Sequence, residues 1–191
     1  MRKMEDGHNR GRLLIISAPS GTGKSTVIRQ VLKLRPSLRF SVSATTREKR
    51  AGEENGREYH FISRPEFEKM IVNGELFEYA EYVGNYYGTP RKPIEESLAR
   101  GEDVILDIEV QGAEQVRKAL PETVALFIVP PDIEELERRL RQRGTDAEEK
   151  LRARLEIARA ELESVQKYDS VVVNDDVERA AREIVSIIDK K

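Results

Sequence analysis

The chain's first strong pattern is Arg12-Leu-Leu-Ile-Ile-Ser17, a short unbroken apolar run of the kind that lies inside a parallel sheet, covered on both faces. A Gly-rich turn follows. Val27, Ile28, Val31, Leu32 and Leu34 then form a helical stripe from about Lys24 to Leu34, which Pro36 stops. Asp103-Val-Ile-Leu-Asp107 and Val124-Ala-Leu-Phe-Ile-Val129 repeat the buried-strand signature, each followed by a helical pattern. Val171-Val-Val173 precedes a last helix carrying Ala180, Ile184, Val185 and Ile188. Strands alternating with helices predict an α/β fold: a parallel sheet flanked by helices, with ligands at the C-terminal ends of the strands.

The stretch from 41 to 93 has another texture. Short β-like runs at Glu58-Tyr-His-Phe-Ile62, Phe77 to Val83 and Tyr86-Tyr87 are separated by turns at Gly52, Gly56, Gly84 and Gly88, and Gly84-Asn85 reads as a hairpin tip. This predicts a small mixed or antiparallel β lobe inserted into the core. From 132 to 165 the texture changes again. Leu151, Leu155, Ala158, Leu162 and Val165 step along one helix face, after an arginine-dense turn that runs through Arg139 and Arg143. The expected division is a flexible extension over 1–11, then one domain over 12–191. Its core spans 12–40, 94–131 and 166–191, with the β lobe at 41–93 and a short helical lid at 132–165.

Composition narrows the chemistry. With 33 Lys and Arg against 35 Asp and Glu, the net charge of −2 gives no basic footprint for nucleic acid, so any anion site must be local. There is no cysteine and there are only two histidines, His8 and His60, which excludes disulfides, thiolate metal sites and a histidine-rich zinc site. The apolar run at Leu13 to Ile16 is far too short to span a bilayer. These features fit a cytoplasmic protein with no membrane partner.

Ala18, Pro19, Ser20, Gly21, Thr22, Gly23, Lys24, Ser25 and Thr26, between strand and helix, supply what a polyphosphate needs. Gly21 and Gly23 let backbone N–H groups turn inward, and the following helix presents its positive dipole end. Lys24 reaches the outer phosphates, and the Ser25 hydroxyl is placed to ligate Mg²⁺. Ala18 stands where the general P-loop pattern has its first glycine. The pattern implies a nucleoside triphosphate and leaves the acceptor open. Asp107, ending its strand, is placed to orient Mg²⁺ through water; a plain capping role is the alternative.

Further motifs follow in order: Ser43-Ala-Thr-Thr-Arg47-Glu-Lys-Arg50-Ala-Gly-Glu53, Asn55-Gly-Arg-Glu-Tyr59-His-Phe61, Gly84-Asn-Tyr-Tyr-Gly-Thr89, Ile105-Leu-Asp-Ile-Glu109-Val-Gln-Gly112, Arg143-Gly-Thr145 and Asn174-Asp-Asp176. As an ordered set they resemble the guanylate kinase family along nearly the whole chain. The resemblance implies phosphoryl transfer from Mg·ATP to GMP. It assigns Ser43, Arg47, Arg50, Tyr59 and Tyr87 to the GMP phosphate, a role suited to forked guanidinium and neutral hydroxyl donors. Taken alone, the Arg47–Arg50 segment would be a solvated charged loop and the tyrosines core aromatics.

Guanine carries two donors, N1–H and N2–H₂, and the acceptor O6. Carboxylates at Glu78 and Glu109 and a hydroxyl at Thr89 are complementary to it, whereas adenine would meet a carboxylate with its own N1 lone pair. The family more often has Asp at the position of Glu109. Glu78 in isolation reads as an outward charge on an alternating strand. Asp107 and Glu109 are read as sharing one side of a strand, serving metal and base together. Arg139, Arg143 and Arg154 correspond to lid positions that close over the ATP phosphates, and Asn174 to one lining the adenine pocket.

A phosphomonoester with its second pKa near 6 is already largely dianionic at pH 7, so no general base is needed. Lys24, Mg²⁺ and the arginines Arg47, Arg143 and Arg154 are the expected charge stabilisers, with Asp107 beside them. The alternatives are a kinase of another nucleoside monophosphate and a silent peptide-binding module. Whether the chain is a monomer or a homo-oligomer is left open.

Overall fold

The computed structural model describes residues 10–82, 84–142 and 148–190. Its elements run β1 (Leu13–Ser17), α1 (Lys24–Leu34), β2 (Arg39–Phe40), β3 (Ala44–Thr45), β4 (His60–Phe61), α2 (Arg64–Val72), β5 (Leu76–Tyr82), β6 (Asn85–Pro90) and α3 (Arg91–Ala99). They continue with β7 (Val104–Asp107), α4 (Val110–Ala119), β8 (Val124–Val129), α5 (Ile133–Gln142), α6 (Glu148–Leu162), β9 (Ser170–Val173) and α7 (Val177–Lys190). Parallel strands in the order β2-β7-β1-β8-β9 make the central sheet, and β4-β3-β6-β5 make a second one.

The unbroken apolar run of β1 follows from its central place. Leu14 and Ile16 pack with Val27, Ile28 and Val31 of α1 and with Ala180, Ile184 and Ile188 of α7. Leu13 and Ile15 face the other way, onto Ile94 and Leu98 of α3 and Ala113 and Val116 of α4. Each of the valine, leucine and isoleucine side chains contributes about 1.5–3 kcal/mol when fully buried. The two layers hold β1 and β7 rigidly at the sheet's centre, the crevice position where doubly wound sheets carry their ligands.

Below this crevice an ion network ties the first and last segments together. Asp103 accepts from the Arg12 backbone N–H at 2.8 Å and from Arg12 Nη2 at 2.7 Å, and Arg35 Nη2 lies 3.4 Å away. Arg35 also pairs with Asp189 of α7. The Gly11 N–H donates to the Leu98 carbonyl at 2.9 Å, so the expected extension is anchored by its last residues; residues 1–9 lie outside those described. Burial alone would raise the Asp103 carboxyl, but the Arg12 donors outweigh it and hold it below the usual range. A carboxyl depressed in the folded state stabilises above its unfolded pKa, and that stability is lost as pH falls through the folded value. Asp103→Asn is therefore expected to lower unfolding free energy at pH 7 by about 1–3 kcal/mol, with the gap to wild type closing in acid. Urea denaturation at pH 7 and pH 3 checks this; equal midpoints at pH 7 would count against it.

The inserted lobe is a mixed sheet, since β3 runs parallel to β4 and antiparallel to β6. The hairpin read from Gly84-Asn85 is the β5–β6 pair. The expected strand at Glu58–Ile62 shrinks to His60–Phe61, because Ser63 instead starts α2. Its side chain and that of Glu66 form a reciprocal capping box. Phe67 of α2 is fully buried and stacks on Tyr86 at 5.2 Å, which gives the lobe its own small core with Ala44 and Leu76.

In the lid region, Leu136 and Leu140 of α5 meet Leu151, Leu155 and Ala158 of α6. The helix ends at Leu162, so Val165 falls in a 3₁₀ turn over Glu163–Lys167 rather than on the predicted helical stripe. Among the described residues no helix is long and apolar enough to cross a membrane.

Candidate active site

The loop between β1 and α1 turns at two left-handed glycines, Gly21 and Gly23, each with φ 94°. Neither position has room for a side chain. A Cβ on Gly21 would come within 2.7 Å of Leu140 on α5, and one on Gly23 within 2.8 Å of the Asn174 amide. Ala18 is buried in the core, and the Thr22 N–H closes a turn onto the Pro19 carbonyl at 3.2 Å. Ser25 and Thr26, in the first turn of α1, are exposed.

Lys24 reaches across to the end of β7. Its Nζ lies 2.7 Å from Asp107 Oδ1 and 3.4 Å from Glu109 Oε1. Burial pushes the ammonium's pKa down, but Asp107 and Glu109 more than offset this, so Lys24 is held cationic above its ordinary range. Asp107 and Glu109 do converge, but not as neighbours on one strand face. β7 ends at Asp107, and Glu109 is already the cap residue of α4.

Glu78 is buried, contrary to the outward reading. The β5–β6 register shifts between Leu76 and Tyr79, and this irregularity lets Phe77 and Glu78 both turn inward. Thr89 Oγ1 donates to Glu78 Oε1 at 2.5 Å. Glu78 Oε2 lies against Gly112 of α4, where an added Cβ would stand 2.7 Å from it, so the glycine in the helix's first turn makes room for the carboxyl. Burial pushes the Glu78 carboxyl up, the Thr89 hydroxyl offsets part of this, and Glu109 adds to the rise. Thr89 and Glu78 thus form one pair and Glu109 and Lys24 another, and the Glu109 charge is felt at Glu78.

On the lobe side, Arg47 is clamped. Its Nη1 and Nη2 donate to Glu53 at 3.0 and 2.8 Å, its guanidinium lies 5.5 Å from the Tyr59 and Phe61 ring centres, and the Arg50 backbone N–H donates to the same Glu53 carboxylate at 2.8 Å. Tyr59 meets Tyr87 edge-on at 5.9 Å. Burial raises the Tyr59 hydroxyl, followed by the field of Asp107, which places this lobe tyrosine within electrostatic reach of the β7 end. Ser43 lies just before β3, its carbonyl accepting from the His60 N–H at 2.8 Å.

The lid arginines part company. Arg139 on α5 donates to the Thr22 carbonyl and the Asn174 carbonyl, each at 3.0 Å, and to Glu135 at 2.7 Å. It braces the loop wall instead of closing over it, because Leu136 and Leu140 of the same helix pack directly on Gly21. Arg154 on α6 donates to Ser20 Oγ at 2.8 Å. Arg143 lies outside the described residues. Asn174 donates from Nδ2 to the Thr22 carbonyl at 2.7 Å, while its Oδ1 is buried without a hydrogen-bond partner among the described residues. A cleft of about 340 Å³ opens here, lined by Gly21, Gly23, Thr26, Arg139, Gln142, Asn174, Asp175 and Val177.

The family model described as guanylate kinase matches residues 10–191. The chain belongs to the guanylate kinase family. It is 50% identical over 180 residues to a guanylate kinase of Carboxydothermus hydrogenoformans, covering 94% of this chain and 88% of the relative. It is equally similar to one of Lactococcus lactis, again 50% over 180 residues with 94% and 88% covered. The crystal structure of guanylate kinase from Anaplasma phagocytophilum superposes with a TM-score of 0.78 at 37% identity, covering 95% of this chain and 86% of that one. For this family member the structure also adds residues that the motifs did not single out by role: Glu53 as the partner of Arg47, Gln142, Asp175 and Val177 in the cleft, and Glu161 on α6. Glu53 carried a usable signal, an acid three residues after Arg50 in a charged loop. Glu161 carried none, sitting among other acids on a helix.

Proposed function

We propose that the protein transfers the γ-phosphoryl group of ATP to GMP, giving ADP and GDP. The observation that carries this is the buried Glu78–Thr89 pair, which feels the charge of Glu109, itself 3.4 Å from Lys24 of the P-loop. This supports the reading of a selective acceptor site beside a triphosphate cradle.

In the proposed geometry the triphosphate lies over the inward-turned N–H groups of Gly21 to Ser25, with the adenine in the 340 Å³ cleft against Asn174 and the Arg139 guanidinium. The GMP phosphate meets Arg47, already oriented by Glu53, together with Arg50, Ser43, Tyr59 and Tyr87. Glu78 has its Oε1 occupied by the only proton of the Thr89 hydroxyl. Guanine N1–H and N2–H₂ supply Glu78 with better donors, and Thr89 is then free to turn its proton to O6. Adenine cannot drive this exchange.

Ser25 and Asp107 suit Mg²⁺. They offer only hard oxygen donors, and among the described residues no group of three or more His, Cys, Asp or Glu forms a denser metal cage. That is the donor set of an ion that keeps waters and takes substrate phosphates. When bound, Mg²⁺ withdraws charge from the phosphates. The protein's own contribution is positioning and electrostatics. Lys24, held cationic, faces the outer phosphates, Arg47 fixes the dianionic nucleophile in line, and Arg154 joins α6 to Ser20 so that the lid excludes water.

A coupled assay of ADP formation with GMP, AMP, dTMP and CMP as acceptors tests this reading. Turnover with GMP is expected to exceed that with AMP by about 10³ or more in kcat/KM. Equal rates with AMP would sink the specificity assignment. No turnover with any acceptor would favour the peptide-binding module.

A further inference from the structure

The helix α4 touches the lobe through two residues that no step of the proposed reaction uses, Gly112 and Gln115. They lie three positions apart and are neighbours on the helix surface. The Gln115 side-chain amide meets the backbone of Tyr79, the residue after Glu78. The Tyr79 N–H donates to Gln115 Oε1 at 3.3 Å, and Gln115 Nε2 donates to the Tyr79 carbonyl at 3.2 Å. Because β5 is an edge strand of the lobe sheet, this amide stands in for a further strand at that one residue. Tyr79 is also where the β5–β6 register resumes after the irregularity that turns Glu78 inward. Gly112 bounds the far end of the same side chain, where an added Cβ would stand 2.7 Å from Oε2 and 3.0 Å from Cδ. On the β6 side, a Cβ on Gly88 would come within 2.9 Å of the Glu78 carbonyl oxygen. Glu78 is thus seated from its backbone to its carboxyl by residues outside its own strand.

We propose that Gln115 and Gly112 of α4 are positioning residues for guanine selection, together fixing where the Glu78 carboxylate stands. The inference deepens the GMP assignment above and rests on it. A carboxylate selects guanine only when its oxygens stand within hydrogen-bond distance of N1–H and N2–H₂, and a displacement of about 1 Å can cost about 10² in rate. Thr89 holds Oε1 alone. The strand does not fix Glu78 by regular pairing, since the β5–β6 register is broken between Leu76 and Tyr79. Gln115 supplies the missing restraint by pinning the next peptide unit on both its N–H and its carbonyl. The helix that does so also carries Glu109 at its N-terminal cap, so both carboxyl groups assigned to guanine are referred to one rigid element. Gly112 sets the depth, because any side chain there drives Oε2 away from the helix. In this reading neither residue touches the base; each acts through Glu78.

The test is a double-mutant cycle in the full chain. Gln115→Met, Gly112→Ala and Glu78→Ala are made singly, and the first two are each combined with Glu78→Ala. Steady-state kinetics with GMP and with AMP at saturating Mg·ATP are compared with wild type, and thermal melts check folding. Methionine keeps the length of glutamine and removes both hydrogen bonds. Gln115→Met is expected to raise KM for GMP about five- to tenfold with kcat within about twofold, and to leave kcat/KM for AMP within about twofold. Gly112→Ala is expected to lower kcat/KM for GMP by about 10². On the Glu78→Ala chain neither substitution changes kcat/KM for GMP by more than about twofold, because the group they position is gone. A tether of purely structural use would weaken GMP and AMP alike and add its full effect to that of Glu78→Ala. Either result overturns the inference, as does a Gln115→Met chain with the wild-type KM for GMP. Should Gly112→Ala not fold, the Gln115 arm decides alone. A Glu78→Ala chain that keeps its preference for GMP over AMP overturns the guanine assignment and the inference with it. Loss of that preference, beside unaffected Gln115 and Gly112 variants, overturns the inference alone.

Discussion

Lys24→Met is expected to lower kcat by about 10²–10³, with a smaller change in the apparent affinity for ATP. The methionine keeps the length and the apolar stem, so the loss reads the charge. In the proposed reading Lys24 faces the triphosphate's outer oxygens, and it is held in place by Asp107 at 2.7 Å and Glu109 at 3.4 Å. A cation whose folded pKa is raised contributes stability that is fully present below its unfolded value near 10.4 and lost only as pH rises through the folded one. Between pH 6 and 9 neither its charge nor its stabilisation should vary. The wild-type kcat profile should therefore show no alkaline fall attributable to Lys24 in that window. Lys24→Arg is expected to recover little, because a planar fork cannot occupy the narrow place of a point charge between two carboxylates. Steady-state kinetics of the three proteins decide the matter. A Met variant within tenfold of wild type would show that the P-loop backbone alone carries the charge.

How much of this was legible before folding depended on whether a residue's role was local. The P-loop strand and helix were read to their ends, Lys24–Leu34 included, because sequential packing and turn chemistry specify them. The buried strands at Val104–Asp107 and Val124–Val129 were equally plain, since burial on both faces forbids polar residues there. α2 was missed because its capping box lies inside a run that also alternates like a strand, and only Phe67 of its residues is buried. Taken alone, Glu78 reads as outward because alternation predicts it, and only the family resemblance assigns it to guanine. The register shift that turns it inward depends on pairing with β6, a non-local fact. Arg139 read as a closing arginine because its spacing in an arginine-rich helix says nothing of Leu136 and Leu140 packing that helix onto Gly21. Convergence on Lys24 was half legible: Asp107 ends a strand, but that Glu109 reaches the same ammonium as a helix cap requires the β7–α4 turn.

The buried acid that alternation misread is also where substrate choice should be most sensitive to one atom. Glu78→Gln is expected to lower kcat/KM for GMP by about 10³, since two hydrogen bonds to a charged acceptor, about 1.5–3 kcal/mol each, lose their charge and one is lost outright. Activity toward AMP, which never gained those bonds, should change by less than about threefold, so the GMP:AMP ratio collapses. The same substitution should not harm the fold. Burial raises the Glu78 carboxyl in the folded state, and a raised carboxyl costs stability as pH climbs above its unfolded value. An amide of the same shape removes that cost, keeps the Thr89 hydroxyl bonded through its carbonyl oxygen, and leaves the contact with Gly112 in place. The variant should thus melt at or above the wild-type temperature at pH 8 while losing GMP activity, the opposing changes that mark a residue kept for function at the expense of stability. Kinetics with both acceptors and melts at pH 5 and pH 8 test both halves. A variant that retains GMP activity within threefold would remove Glu78 from the recognition of guanine, and one that melts well below wild type at pH 8 would make its role structural.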